Sequence, residues 1–215
     1  MNCAGVVLAG GQSSRMRLPK ALLPFGPEVM LQRVVRRLAT VVQPVIVVAQ
    51  HEQPLPELPA GTLVAHDARA SRGPLEGLLA GLVAAEPFVD RAFVTSCDVP
   101  RLMPSFAKQM IELLGDHEIA VPVEGEFFHP LSAVYHTAVV PEIRKLLEQD
   151  RLRPAFLFDV VRTIRVAVDE LRAVDPSLAS LQNVNQSADY LAALAAEGLE
   201  PDPATLAALG IPNNA

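Results

Sequence analysis

Cysteine is scarce: the 215 residues contain two, Cys3 and Cys97. Two thiols cannot make the disulfide framework of a small secreted domain. Both fall in apolar stretches, so they read as buried thiols of a reducing compartment. No apolar run approaches the length of a bilayer span, so no membrane helix and no membrane partner are expected. The first apolar run has no basic segment before it and passes straight into glycines. No signal peptide is therefore expected, and the setting reads as cytoplasmic. Basic charge is also in short supply. Lys and Arg number 18 against 24 Asp and Glu, a net charge of −6. A general nucleic-acid binder would want the opposite surface. His51, His66, His117 and His136 lack the spacing of zinc ligands, and no Ser-His-Asp or Cys-His set can be argued. Internal repeats and interdomain linkers are missing too.

Half of the residues are hydrophobic and a fifth are charged, the balance of an ordinary globular protein. The length predicts one domain, taken as 1–197, followed by a loosely attached tail at 198–215 that carries Pro201, Pro203 and Pro212. Short apolar runs at 4–8, 45–49, 62–66 and 91–96 read as strands. Between them lie segments of helical period. One covers 28–40, with Met30, Leu31, Val34, Val35 and Leu38 on one face; another covers 74–86, with Leu75, Leu78, Leu79 and Leu82. Arg33, Arg36 and Arg37 occupy the other face of the first helix and read as solvated. Further helices are predicted at 104–114, 139–149, 154–161 and 186–197, and further strands at 118–123 and 163–168. Residues 127–135 read as a strand antiparallel to the rest. Strands alternating with helices imply right-handed βαβ units. The expected fold class is α/β, a three-layer α/β/α sandwich on a Rossmann-like, mainly parallel sheet. Ligands on such sheets sit beyond the carboxyl ends of the strands.

Two stretches at those ends carry chemistry. After the first strand, Gly10-Gly11 turns the chain and leaves no side chain between backbone N–H groups and a ligand. Gln12, Ser13, Ser14 and Arg15 follow, all donors, and then a second cation, Lys20. Backbone N–H groups after a strand, backed by two cations, suit a polyphosphate; a tight turn with a solvated basic rim is the plainer alternative. At the end of the fourth strand stands Asp98, in Ser96-Cys97-Asp98-Val99-Pro100. A carboxylate facing a polyphosphate is a natural anchor for Mg²⁺, which takes one or two carboxylates plus phosphate oxygens and waters. An Asp ahead of a proline also serves simply as a turn former.

The run Leu8-Ala9-Gly10-Gly11-Gln12-Ser13-Ser14-Arg15-Met16, with Lys20 before Ala21-Leu22-Leu23, resembles the signature loop of the MobA-like nucleotidyltransferases. It is neither a Walker P-loop nor a dinucleotide fingerprint. Cys97-Asp98-Val99-Pro100 resembles the metal-binding Asp motif of that family. Gly73-Pro74-Leu75-Glu76-Gly77, behind Asp67, is similar to its second motif. Phe128-His129-Pro130-Leu131 resembles its His-Pro motif, and Asn183-Val184-Asn185 its Asn-Val-Asn motif. Two positions depart from the pattern: Arg17 stands where the family usually has Gly, and Pro19 where Asp often precedes the Lys.

The resemblance implies a fold of the nucleotide-diphospho-sugar transferase type and transfer of a nucleotidyl group from an NTP to an acceptor phosphate. The implied catalytic residues are Arg15, Lys20 and Asp98, with Mg²⁺ on Asp98. The implied nucleotide site comprises Leu8, Ala9, Gly10, Gly11, Ser13, Lys20, Asp67, Gly73 and Asp98, with Gly73 allowing close approach of backbone to base or sugar. His129, Asn183 and Asn185 would meet the acceptor; asparagines pair donors with acceptors, as a pterin edge requires, and they also cap helices. The implied substrates are GTP and molybdopterin, and delivery of the product implies transient contact with molybdoenzymes. GTP is favoured because related cytidylyltransferases read Leu-Ala-Ala-Gly where this chain has Leu8-Ala9-Gly10-Gly11, whose second glycine leaves room for a purine. Two alternatives stay open: a CTP-dependent transferase of molybdopterin or another phosphorylated small molecule, and a non-catalytic nucleotide- or cofactor-binding partner of molybdoenzymes.

Overall fold

The computed structural model describes residues 2–10, 18–67 and 72–211. Its strands are β1 (Ala4–Leu8), β2 (Pro24–Phe25), β3 (Glu28–Val29), β4 (Val45–Ala49), β5 (Leu63–His66), β6 (Arg91–Ser96), β7 (Ile119–Glu124), β8 (Phe127–Phe128), β9 (Ala133–His136) and β10 (Thr163–Ala167). The helices are α1 (Met30–Leu38), α2 (Pro74–Ala85), α3 (Pro104–Leu113), α4 (Val140–Glu148), α5 (Ser187–Ala196) and α6 (Pro203–Leu209). The main sheet runs β10-β7-β9-β6-β1-β4-β5, with β8 added to β7, and β2-β3 form a separate hairpin.

Uncharged, valine-rich runs become the centre of this sheet because both of their faces can be covered. β1 and β4 are buried at every position. β1 pairs in parallel with β4 and β6, setting Gly5 opposite both Val45 and Phe93. Along β1 the side chains alternate between two cores. Val7 packs into one with Leu31, Val34, Val35 and Leu38 of α1 and Phe106 and Met110 of α3. Ala4, Val6 and Leu8 pack into the other with Leu75, Leu78 and Leu82 of α2 and Ile143 and Leu147 of α4. Each large apolar side chain so buried contributes about 1.5–3 kcal/mol. Gly81 lets α2 lie close on β1: a Cβ there would stand 2.3 Å from Val6 Cγ1. The result is the three-layer, mainly parallel α/β architecture expected, with β9 reversing direction between β6 and β7.

Four local expectations are corrected. The helix expected from residue 28 starts at Met30, because Glu28–Val29 pairs with Pro24–Phe25 in the small hairpin. The single antiparallel strand expected over 127–135 is two pieces, β8 and β9, separated around His129-Pro130, where Ser132 N donates to His129 O at 3.1 Å in a turn. The short helix expected over 154–161 is a 3-10 turn, Pro154–Leu157. The loose tail expected from 198 is, up to residue 211, docked. α6 buries Leu206 and Leu209, and Leu209 joins Leu23, Phe25, Met30, Val184, Tyr190 and Leu194 in a third apolar cluster. Tyr190 Oη locks that cluster by donating to Pro24 O at 2.6 Å. Proline in the tail does not prevent a helix: Pro203 sits in the first turn of α6, and Asp202 accepts from Thr205 N at 2.9 Å.

Candidate functional site

The carboxyl ends of β1, β4, β5 and β6 open into a cleft of about 540 Å³, within the range of small-ligand sites. Parallel pairing continues past the strands and holds the floor. Ala9 N donates to Val48 O at 2.8 Å, Cys97 N to Leu8 O at 3.0 Å, and Asp67 N to Ala49 O at 3.4 Å. Gln53 ties β1 to β4: its Nε2 donates to Ala9 O at 2.8 Å and its Oε1 accepts from Gln50 N at 3.1 Å. Leu8, Ala9, Gly10, Lys20, Asp67, Gly73, Asp98 and Asn183 all line this cleft. Gly11, Ser13 and Arg15 lie outside the described residues.

At the mouth of the cleft, four side chains form one hydrogen-bonded group around Asp98. Lys20 Nζ donates to Asp98 Oδ2 at 2.9 Å and to Asn185 Oδ1 at 2.8 Å. Ser96 Oγ and Asn183 Nδ2, the latter at 3.3 Å, donate to Asp98 Oδ1. The Lys20 and Asp98 side chains are only 20% and 14% exposed, so this pair is less screened than a surface ion pair. Val184 N donates to Asp98 O at 2.8 Å, which brings the Asn183-Val184-Asn185 segment against the end of β6. The helix that follows is capped by Asp189, whose carboxylate accepts from Asn185 N and Gln186 N, each at 2.9 Å. Asn185 thus enters the α5 cap through its backbone and leaves its side chain for Lys20.

Across the cleft, Asp67 Oδ1 is buried and has no hydrogen-bond partner among the described residues. An orphaned carboxylate oxygen facing a cavity wants a donor. Gly73 stands beside it with φ 78° and ψ −177°, a backbone region that belongs to glycine, and Pro74 then starts α2. Cys97 lies in the cleft wall, but burial pushes its thiol up to about 12, helped by the Asp98 charge. It stays protonated and is not a nucleophile. His129 is not among the cleft-lining residues; its neighbour Leu131 is. Its Nε2 is buried without a partner among the described residues, and burial lowers its pKa against the opposing pull of Glu124.

Gln50 and Gln53 line the cleft outside every motif, and Ser96 and Leu131 line it from within motifs that gave them no role. The rule that ligands sit beyond strand ends covers the glutamines just after β4. Ser96, a hydroxyl closing an apolar strand two residues before Asp98, carried a readable signal as well.

For Mg²⁺ the residues present fit a shared site. Among the described residues no group of three or more His, Cys, Asp or Glu could hold a metal. Mg²⁺ does not require such a cage; one carboxylate with phosphate oxygens and waters suffices. Asp98, partly exposed at the cleft mouth beside a cation, offers that carboxylate.

Residues 5–164 match the family model described as the MobA-like NTP transferase domain. The chain is 34% identical over 193 residues to a probable molybdenum cofactor guanylyltransferase of Pelotomaculum thermopropionicum, covering 90% of this chain and 92% of that one. It therefore belongs to the MobA-like NTP transferase family, and it is a nucleotidyltransferase by class. The fold is shared with the crystal structure of molybdopterin-guanine dinucleotide biosynthesis protein A from Archaeoglobus fulgidus, with a TM-score of 0.75 at 17% identity over 91% of this chain and 98% of that one. It is shared also with 2-C-methyl-D-erythritol 4-phosphate cytidylyltransferase from Thermus thermophilus, with a TM-score of 0.66 at 17% identity over 93% and 100%. No helix among the described residues is long and apolar enough to cross a membrane.

Proposed function

We propose that this protein transfers GMP from GTP to the phosphate of molybdopterin in a Mg²⁺-dependent reaction, releasing pyrophosphate. The observation that carries the reading is the Lys20–Asp98–Asn183–Asn185 group at the mouth of a nucleotide-sized cleft. An oxygen of the acceptor phosphate attacks the α-phosphorus of the nucleotide. A new P–O bond forms as the bond to the bridging oxygen of the β-phosphate breaks, and pyrophosphate leaves with the electron pair. Such a reaction asks the protein mainly for positioning and charge neutralisation. Lys20, freed from Asp98 by the incoming triphosphate, places its ammonium against the phosphates, with Arg15 as the second cation. Asp98 would hold Mg²⁺, which would supply neutralisation of charge on the phosphate oxygens. Gly10 and Gly11 present backbone, Ser13 a hydroxyl, and Asp67 accepts from donor groups of the nucleotide. Asn183 and Asn185 face the acceptor side, while His129 is set back from the cleft and its neighbour Leu131 lines it. The guanylyltransferase names of the relatives support GTP over CTP. Delivery of the product brings transient contact with molybdoenzymes, in a cytoplasmic setting.

Thermal melting with GTP, CTP and ATP, each with and without Mg²⁺, tests this. A ligand at a hundredfold its Kd adds about 2.7 kcal/mol of stability. A Mg²⁺-dependent rise in Tm with GTP alone is expected. A rise with CTP alone would move the reading to the cytidylyl branch. Stabilisation by GTP without any transfer would mark a non-catalytic binder.

A further inference from the structure

Asp98, Lys20 and the two asparagines arrive from three separate stretches of chain, and one carboxylate that does not line the cleft joins all three. Glu197 caps the carboxyl end of α5, the helix that begins just after Asn185. Its Oε2 accepts from Arg33 Nη2 and stands 3.6 Å from Arg37 Nη1, both on α1. Its Oε1 is 3.5 Å from Arg101 Nε, three residues beyond Asp98. The arginines then reach back toward the site. Arg33 Nε donates to Pro100 O at 3.0 Å, and Arg101 Nη1 donates to Gln182 Oε1 at 3.0 Å, the residue before Asn183. α1 itself continues from Lys20 through the β2-β3 hairpin, and Arg33 lies over the Phe25 ring at 4.8 Å.

Of the three α1 arginines that helical periodicity predicts to be solvated, Arg36 is exposed, but Arg33 and Arg37 turn inward. The side chains of Arg33, Arg37 and Arg101 are 11%, 19% and 19% exposed, and that of Glu197 is 24% exposed. Three guanidiniums so close repel one another. Arg37 shows it: burial, then the Arg33 charge, lowers its pKa against the pull of Glu197. Without this carboxylate, Arg33 and Arg37 of α1 and Arg101 of the 98–101 loop keep only Glu28, 3.4 Å from Arg33 Nη1, as counter-charge among the described residues, and α5, which has no cation of its own, loses its ionic tie to both.

We infer that Glu197 is a positioning residue for nucleotidyl transfer: it clasps the segments bearing Lys20, Asp98 and Asn183–Asn185 and sets their mutual geometry. The inference rests on the functional reading above for its kinetic consequence, not for the clasp itself. Glu197→Gln keeps the side-chain shape and removes the charge. The test is amide hydrogen exchange at Val184, whose N–H bonds Asp98 O, read beside steady-state kinetics well below the melting temperature. Exchange at Val184 is expected to quicken at least tenfold relative to core amides such as Val6. The kcat should fall at least tenfold, with KM for the nucleotide moving less than threefold. A purely structural role lowers Tm and leaves both readouts alone, and that result would overturn the inference. If the wild-type protein transfers no nucleotide, the functional reading falls, and the Val184 exchange rate alone decides the clasp. Should Glu197→Gln fail to fold, Arg101→Gln opens one arm, and unchanged Val184 exchange there is equally fatal.

Discussion

The two walls of the cleft are built by different means. The wall formed by β1, β4 and β6 is held by backbone: Ala9, Cys97 and Asp67 prolong parallel pairing past the strand ends. Its strands are buried at almost every position, and two helical layers fix them from either side. The opposite wall, carrying Asn183 and Asn185, has no strand in it. It is held by side chains: the Asp189 cap, Tyr190 on Pro24, Lys20 on Asn185, and the arginines on Glu197. A backbone-held wall suits a ligand part common to all substrates, such as a phosphate chain. A side-chain-held wall tolerates variation in sequence and geometry, which suits the part that distinguishes one acceptor from another.

The comparison can be broken at the point where the walls meet. Asp98→Ala should reduce transfer on the order of 10³-fold, the scale of losing one preorganised electrostatic contact in an active site. It should leave far-UV circular dichroism unchanged, since the residue lies at the rim. A transfer rate near wild type would remove Asp98 from the mechanism. On the side-chain-held wall, Tyr190→Ala should cost about 3–5 kcal/mol in urea unfolding, the range for truncating a large buried aromatic. A loss below 1 kcal/mol would mean that the third apolar cluster does not hold that wall.

Lys20→Ala touches both walls. Losing one charge-assisted hydrogen bond, about 1.5–3 kcal/mol, should weaken triphosphate binding roughly 10- to 100-fold by titration calorimetry. An unchanged affinity would shift the phosphate site away from Lys20. The smallest effect is expected from pH. Burial lowers the pKa of His129 in the folded state. As pH falls through the ordinary imidazole value of about 6.5, the unfolded chain takes up a proton that the folded one resists, so stability drops on the acid side. His129→Gln should flatten the stability profile between roughly pH 7 and 5; an identical slope in the variant would assign it elsewhere.

Strands β1, β4 and β6, helices α1 to α4 and the parallel architecture were legible because their periodicity reflects burial directly: a run covered on both faces has no room for charge. Gly10 and Asp98 were legible together because strand ends in such a sheet share an edge, whereas Asp67, Gly73 and Asn183 were implied by the family resemblance; all five line one cleft. Other features had no local signature. The β2-β3 hairpin has two-residue strands, too short for any period to show. The split of 127–135 depends on which neighbour each half finds. The prolines after 198 read as a loosely attached tail, yet Leu209 found a surface made by Leu23, Phe25 and Tyr190.

Sequence by itself determined the class of fold, the cleft edge and the identity of the groups at it, since strand burial and the position of polar residues after strands are local properties. Only the tertiary structure decided that Lys20 bridges Asp98 and Asn185, that Arg33 and Arg37 turn inward, and that Glu197 gathers them with Arg101. Those are contacts between charges distant in sequence, and a charge on a helix face looks the same in a one-dimensional pattern whether its partner is water or a carboxylate 164 residues away.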